Sequence, residues 1–173
     1  NTSLDAAMAP LFAIENFREA AISPDGQRVA WVRSLHKKDG TPTPNSGIYV
    51  QDLSAGAKPR QISAAPDAPH AEHDLAWSPD SKHLAFLSDA AEEGQLQLYV
   101  TDVTRRPAGG HVGGLKVEVD VHGGARRLTH LKGNLSDPHW SPDDASIAFL
   151  FIENAPRVPG PLEPMTPPSG EIE

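Results

Sequence analysis

Trp77-Ser78-Pro79-Asp80 returns as Trp140-Ser141-Pro142-Asp143 and, in a variant form, as Ile22-Ser23-Pro24-Asp25. Each copy runs within a few residues into a short apolar segment: Val29-Ala30-Trp31, Leu84-Ala85-Phe86 and Ile147-Ala148-Phe149. The repeated serines are separated by 55 and then 63 residues. Repetition at a few tens of residues indicates stacked structural modules, and loop insertions would account for the excess over the roughly 40–50 residues of a common four-stranded unit.

Each unit has the same order of predicted strands. Ser-Pro-Asp favours a tight turn, because proline presets the backbone angle at the second turn position and aspartate bonds its own backbone. The apolar runs Val29 to Val32, Leu84 to Leu87 and Ile147 to Ile152 suit strands buried on both faces. An innermost strand precedes each turn (Glu19 to Ile22, Asp74 to Trp77, Pro138 to Trp140), a Tyr-Val strand follows in the first two units (Gly47 to Leu53, Gln97 to Val103), and an outer strand closes them (Pro59 to Ser63, Ala125 to Thr129). Four antiparallel strands per repeat predict an all-β fold, a partial β-propeller.

The chain divides into about two and a half such blades. We predict an N-terminal arm or short helix over 1–18, blade 1 over 19–63, blade 2 over 64–136 and an incomplete blade 3 over 137–173. Lys37 to Ser46 is predicted as a surface loop, Leu115 to Val121 as an inserted strand or hairpin, and the proline-rich Ala155 to Gly170 as a long loop. Because closed propellers need roughly four to eight blades, we expect a fragment, whose open sheet edge would allow pairing with a second copy.

Composition narrows the function classes. The 173 residues are 38% hydrophobic, which is enough for a real core, and the net charge of −8 argues against nucleic acid as the main partner. Arg105-Arg106 and Arg126-Arg127 are interpreted as solvated strand or loop ends. The chain has no cysteine, so it forms no disulfide or thiolate metal site, and no apolar stretch reaches the roughly 20 residues that span a bilayer. Asn1 is not an initiator methionine, so we expect any signal peptide to have been removed or left out. We favour a periplasmic or secreted location over the cytoplasm.

The full repeat resembles a known blade. Trp-Ser-Pro-Asp, then Leu-Ala-Phe, then Leu-Tyr-Val-x-Asp, then Arg-x-Leu-Thr is similar to the WD-repeat-like blade shared by the TolB propeller and the N-terminal propellers of prolyl oligopeptidase family serine peptidases. The stretches Phe17 to Gly26 and Gly160 to Gly170 favour the peptidases, of the dipeptidyl or acylaminoacyl type. The resemblance implies a lid and substrate-size filter over an α/β-hydrolase domain that admits short peptides. The alternative is a TolB-like propeller that only binds proteins.

The chain itself contains no Gly-x-Ser-x-Gly nucleophile elbow. A peptidase parent would therefore carry its catalytic triad outside this sequence, with hydrolysis through an acyl-enzyme, and no catalytic residue is assigned here. No cofactor is expected.

Glu92 and Glu93 are the candidate substrate-binding residues, with Glu163 as a further one. The resemblance implies that propeller glutamates hold the substrate's amino terminus, and paired carboxylates suit an ammonium group. In the family, however, the pair precedes a Trp-Ser-Pro turn, whereas here it follows the inner strand, so an exposed hairpin loop is the competing interpretation.

Other polar and aromatic groups have structural interpretations. His70-x-x-His73 fits a polar loop better than a metal site, because its spacing differs from that of helical His-Glu-x-x-His enzymes. Trp31, Trp77 and Trp140 are predicted to pack in the core, and Asp25, Asp80 and Asp143 to form turns.

Overall fold

The computed structural model describes residues 17–37, 41–64, 68–104 and 124–155. All regular secondary structure in these residues is β-strand, which confirms the predicted all-β fold. The ten strands are β1 Phe17–Ile22, β2 Arg28–His36, β3 Pro42–Asp52, β4 Arg60–Ile62, β5 Glu72–Trp77, β6 His83–Ser88, β7 Gln97–Asp102, β8 Ala125–Arg127, β9 Gly133–Trp140 and β10 Ile147–Glu153.

The strands form three antiparallel sheets in chain order. Blade 1 has the order β1-β2-β3-β4, blade 2 has β5-β6-β7-β8, and blade 3 pairs β9 with β10. The Tyr-Val strands are central in their sheets, with Tyr49 opposite Trp31 and Tyr99 opposite Phe86. These four-stranded up-and-down sheets are the blades that the repeat predicts.

The three Ser-Pro-Asp turns share one hydrogen-bond pattern. In blade 2 the Ser78 hydroxyl donates to Asp80 Oδ1 at 2.6 Å and accepts the His83 N–H at 2.9 Å, while Asp80 Oδ1 accepts the Lys82 N–H at 2.9 Å. The residue after the aspartate is left-handed in every copy: Gly26 (φ 69°), Ser81 (φ 61°) and Asp144 (φ 59°). A type I turn followed by a left-handed residue is a standard hairpin connection, so the aspartates are turn formers as predicted.

Apolar residues pack between adjacent blades in two clusters. Ala30 and Val32 of β2 lie in one buried cluster with Leu84 and Phe86 of β6, whereas Ala85 and Leu87 on the other side of β6 cluster with Leu135 of blade 3. Trp77 packs against the first cluster and Trp140 against the second. Alternation along β6 therefore places one set of side chains on each neighbouring blade.

Only the blade 2 run is buried on both faces. The same prediction for Ile147 to Ile152 is wrong, because Leu150 is 62% exposed and Ile152 is 60% exposed. In the described part of the chain, β10 has blade 2 on one side and no blade on the other, so four of its six apolar residues are exposed.

The loop predicted over Lys37 to Ser46 is also shorter than expected. Pro42 to Ser46 belongs to β3, which pairs with β2 as far as His36 opposite Pro42. The Thr43 hydroxyl donates to the Leu35 carbonyl at 2.6 Å, which helps to hold this extension in a stretch whose prolines suggested a loop.

Several predictions fall outside the described residues. They are the N-terminal arm or helix (except its last residues, 17 and 18, which begin β1), the inserted strand at 115–121, Arg105-Arg106, and the proline-rich loop with Glu163. Within the described ranges, no helix is long and apolar enough to cross a membrane.

Candidate functional site

The innermost strands β1, β5 and β9 lie side by side and border a cleft of about 800 Å³. We call it the inner cleft and define it by the side chains that line it from all three blades: Glu19, Asp74, Trp77, Asp137, His139 and Trp140. In a propeller the innermost strands surround the axis, so this cleft lies on the side of the blades that faces the axis.

A chain of carboxylates joins the blades along the inner cleft. Glu19 of β1 accepts the backbone N–H groups of Asp74 and Leu75 at 3.0 and 2.8 Å. Asp74 in turn accepts the N–H of Asp137 at 3.2 Å. Glu19, Asp74 and Asp137 each stand four residues before the repeated serine. At the first two of these places the carboxylate therefore binds the backbone of the next blade's innermost strand.

The two carboxylates that join blades, Glu19 and Asp74, have pKa values shifted in opposite directions. Burial raises the pKa of Glu19, against the lowering effect of the Leu75 N–H. Burial also acts to raise the pKa of Asp74, but the hydrogen bond and charge of His73 outweigh it and hold the pKa below its ordinary value. His73 Nδ1 lies 2.8 Å from Asp74 Oδ1. Both carboxylates are engaged with backbone, so their first role is to join blades.

Asp137 differs from these two groups. Its side chain is 63% exposed, and its carboxylate lies 3.5 Å from His139 Nδ1. Exposed carboxylate and imidazole groups in an open cleft can form hydrogen bonds to a peptide ligand, although water screens their charges.

Glu92 and Glu93 lie at the other end of the blades from the Ser-Pro-Asp turns, in the connection between β6 and β7. Both are exposed, as the hairpin interpretation predicts, and their turn is closed by the Glu92 N–H to Asp89 carbonyl and Gln95 N–H to Glu92 carbonyl bonds. They border a cleft of about 270 Å³ together with Asn45, Pro69, His70 and Asp89. We call it the hairpin cleft. Whether these glutamates bind substrate stays a prediction.

Asp89 lines the hairpin cleft and holds two segments of backbone together. It is 6% exposed, and its two oxygens accept the N–H groups of Ala71 and Gly94 at 2.8 and 3.1 Å. His70 Nδ1 is 3.8 Å from Asp89 Oδ1. The buried carboxylate thus connects the Glu92-Glu93 turn to the segment that enters β5.

Next to Asp89 lies Glu72, a buried carboxylate that the sequence argument did not single out. It is 1% exposed. Its Oε1 accepts the Ser63 hydroxyl at 2.9 Å, the Ala64 N–H at 2.8 Å and the Ser88 hydroxyl at 3.3 Å. The Ser46 hydroxyl donates to the Glu72 carbonyl at 2.5 Å and accepts the Glu72 N–H at 2.9 Å. This group therefore joins strands of blade 1 to strands of blade 2.

Burial raises the pKa of Glu72 to about 7, although the Ala64 N–H and the Ser63 and Ser88 hydroxyls favour the ionised form. The charge of Asp89 adds to the upward shift. Glu72 is therefore a group that changes its protonation near neutral pH inside the contact between two blades.

The histidine pair is not a polar loop throughout. His73 belongs to β5, and the residue at 70 forms an isolated bridge with Ser46. No group of three side chains able to hold a metal ion occurs in the part of the chain that the structure describes.

Comparison with known proteins finds one sequence relative that is described as a peptidase. No protein-family model matches the chain. It is 32% identical over 140 residues to a Bacillus subtilis (strain 168) protein described as the uncharacterized peptidase YuxL, an alignment covering 78% of this chain and 17% of that protein. The chain thus spans about a sixth of this curated relative.

Solved structures support the same fold. The β-propeller domain of the Trilobed protease from Pyrococcus furiosus, described as having an open velcro topology, aligns with a TM-score of 0.54 and 15% identity over 80% of this chain and 34% of that one. A structure from a study of two prolyl endopeptidases aligns with a TM-score of 0.52 and 17% identity over 90% and 20%. The predicted resemblance is confirmed at the level of the fold: the described residues form β-propeller blades like those of these two structures.

Proposed function

We propose that this chain is the N-terminal portion of the propeller of a serine peptidase, and that it acts as a lid that admits short peptides to an α/β-hydrolase domain outside this sequence. The observation that carries the proposal is the 32% identity over 140 residues to a protein described as a peptidase, in a chain whose described residues form propeller blades. Hydrolysis would proceed through an acyl-enzyme on a serine of that other domain.

The contacts between adjacent blades, which we call joints, are suited to a lid. Each joint combines a buried apolar cluster with hydrogen bonds from side chain to backbone across the blades, such as Glu19 to Leu75 and Trp140 to the Ala76 carbonyl. Packed interiors deform little, so adjacent blades hold a fixed spacing around the inner cleft. A rigid rim of this type excludes folded proteins and passes extended short peptides.

The charge of the chain suits the amino terminus of a peptide. The net charge is −8, and Glu19, Asp74 and Asp137 border the inner cleft. Negative walls attract a cationic group and raise its local concentration. Glu92 and Glu93 would add to this effect at the hairpin cleft, where water screens them more strongly because both are exposed.

The experiment is an activity assay on the full-length protein that carries this chain, with the chain alone as its control. We expect the full-length protein to hydrolyse a chromogenic dipeptide substrate, a serine-directed phosphonate to abolish the activity, and the 173-residue chain to be inactive. A full-length protein that hydrolyses no peptide and binds folded proteins through its propeller would overturn the proposal in favour of a binding propeller.

The candidate glutamates are tested in the same assay. In the full-length protein, the double change Glu92→Gln and Glu93→Gln should raise KM for substrates with a free amino terminus and leave KM for amino-blocked substrates unchanged. Equal effects on both substrate types would remove these residues from the site and leave the lid proposal intact.

A further inference from the structure

The ends of β2 and β3 extend beyond the rest of the blade 1 sheet. β1 pairs with β2 only as far as Arg33, and β4 pairs with β3 only as far as Ile48. Past these points, residues 34–36 of β2 pair with residues 42–46 of β3 as a two-stranded ribbon, which we call the strap. A two-stranded ribbon is at best marginally stable in water, so the strap depends on contacts with the rest of the molecule.

Blade 2 supplies the buried contacts of the strap at the start of β5. The Ser46 N–H donates to the His70 carbonyl at 2.9 Å, and the Ser46 hydroxyl donates to the Glu72 carbonyl at 2.5 Å and accepts the Glu72 N–H at 2.9 Å. Ser46 is 2% exposed. A further bond, from the Arg18 guanidinium to the Ser34 hydroxyl at 2.7 Å, is exposed. One buried serine therefore fastens the strap across the joint between blades 1 and 2.

The residue to which the strap is fastened has a buried carboxyl. Glu72 is 1% exposed, and its Oε1 accepts hydrogen bonds from Ser63, Ala64 and Ser88. Ser63 and Ala64 directly follow β4, and Ser88 ends β6, so these neighbours are attached to four-stranded sheets. A buried carboxylate is costly unless it is paired with a cation or reached by water. The strap, with only two strands, is the neighbour of Glu72 that can move away with the fewest hydrogen bonds broken.

The charged groups near Glu72 oppose its ionisation. Burial and the negative charge of Asp89 both raise the pKa of Glu72, to about 7. Asp89 belongs to blade 2 and lies 3.8 Å from His70, while His73, the neighbour of Glu72 in β5, is engaged with Asp74 at 2.8 Å. The hydrogen bonds that Glu72 accepts from blade 1 come from a neutral hydroxyl and a backbone N–H. Ionisation therefore leaves two carboxylates close together in a buried joint.

We propose that the strap responds to pH: it stays fastened while the Glu72 carboxyl is protonated and opens when that group ionises. Opening alters the hairpin cleft, because Asn45 of the strap lines this cleft together with Glu92 and Glu93 of blade 2. The contacts near the Ser-Pro-Asp turns, such as the Trp77 indole bond to blade 1, lie at the other end of β5 and stay closed. The motion is therefore local, and it widens the hairpin cleft above neutral pH.

Hydrogen exchange of single amides in the 173-residue chain tests this proposal. The Ser46 and Glu72 N–H groups report on the strap, because their acceptors lie across the joint. The Leu98 N–H, which donates to Thr129 Oγ1 within blade 2, is the reference. Rates are compared with those of an unstructured chain, and the resulting protection factors exclude the intrinsic effect of pH on exchange. Opening of the strap alone exposes little surface, so urea up to about 1 M should lower the protection of Leu98 and leave that of Ser46 and Glu72 unchanged.

The pH dependence of exchange links the opening to Glu72. Between pH 6 and pH 8 the protection factors of the Ser46 and Glu72 amides should fall about tenfold, as expected for a carboxyl whose pKa is about 7 with the strap closed and 4.5 with it open. Glu72→Gln should abolish this fall at Ser46. Glu153→Gln, the same chemical change at an exposed position of β10, is the matched control and should keep it.

Three results would overturn the proposal. The first is a fall at Ser46 that survives in Glu72→Gln, because another group would then control the opening. The second is loss of protection with urea at Ser46 and Glu72 in parallel with Leu98, because the opening would then be global unfolding. The third, an unchanged protection factor in the wild-type chain between pH 6 and pH 8, requires no variant to fold. The measurements involve no peptidase activity, so their failure leaves the proposed function standing.

Discussion

The joint between blades 1 and 2 and the joint between blades 2 and 3 have chemically opposite residues at the same position of the repeat. Six residues before the repeated serine, blade 2 has Glu72 and blade 3 has Leu135. Both side chains are 1% exposed, and both pack against the preceding blade. The joint between blades 1 and 2 therefore contains a titratable group where the joint between blades 2 and 3 contains a hydrocarbon.

The surroundings of the two residues change with them. Ser46 and Ser63 face Glu72, whereas Leu96 packs with Leu135 in the second joint. One polar side chain on this side of blade 2 is Gln97, whose amide accepts the Leu131 N–H at 3.0 Å and donates to the Leu131 carbonyl at 2.7 Å. A neutral amide has no protonation change near pH 7. The repeat thus determines where a buried group lies, and its neighbours determine which group is tolerated there.

The largest effect should come from emptying either buried position. Glu72→Ala leaves the Ala64 N–H without its acceptor and a cavity between blades 1 and 2, and should lower the unfolding free energy by about 4 kcal/mol at pH 5. Leu135→Ala should cost about 3 kcal/mol through its cavity alone. Urea unfolding measures both, and a loss below about 1 kcal/mol for either residue would show that its joint is not a stabilising contact.

The second-largest effect should be on the pH dependence of the unfolding free energy, which should differ between the two joints. Because the pKa of Glu72 is raised from 4.5 to about 7, the folded state binds more protons than the unfolded state between these values, and stability falls as pH rises through this window. The total fall from this residue is about 3 kcal/mol, complete above pH 7.

Thermal unfolding of wild type and Glu72→Gln from pH 4.5 to 8 measures this difference. Glutamine imitates the protonated acid, so the variant should lose most of the fall, whereas Leu135→Val should keep it. A wild-type slope that survives unchanged in Glu72→Gln would assign the titration to other groups, such as Glu19, whose pKa is also raised.

A smaller loss of stability, equal at the two joints, is expected on removing the tryptophan hydrogen bond that both joints contain. Trp77→Phe and Trp140→Phe each remove one indole hydrogen bond to the preceding blade and keep most of the ring packing. Each should cost about 1 kcal/mol at every pH. Costs that differ between the two by more than about 1 kcal/mol would show that the shared contact is not equivalent at the two joints.

The smallest effect is expected from Glu93→Gln. This residue is exposed on the hairpin turn, so the change should alter the unfolding free energy by less than about 0.5 kcal/mol and leave the pH profile unchanged. It is the matched control for Glu72→Gln, since the chemical substitution is the same. A flattened profile in Glu93→Gln would contradict the assignment of the titration to a buried group.

The strands and turns were predictable because their causes are local. Ser-Pro-Asp closes a turn through its own hydroxyl, carboxylate and backbone, so three copies of the motif predict three hairpins. The extension of β3 through Pro42 was not predictable in this way, because proline usually marks a loop and the pairing depends on His36 across the hairpin.

The groups of the joints depend on distant partners. Glu72 belongs to no repeated motif in the sequence. Its buried contacts depend on Ser46, which lies 26 residues earlier. The carboxylates of the inner cleft did leave a signal, since Glu19, Asp74 and Asp137 all stand four residues before a repeated serine. Reading acidic residues by their place in the repeat would have found them.

The most direct test of the lid is the dependence of hydrolysis on substrate length. The full-length protein should cleave peptides of a few residues and lose activity steeply as the same cleavable sequence is placed in longer peptides and finally in a folded protein. Comparable kcat/KM values for the short peptide and the folded protein would contradict the account, because blades that filter substrates by size cannot admit both.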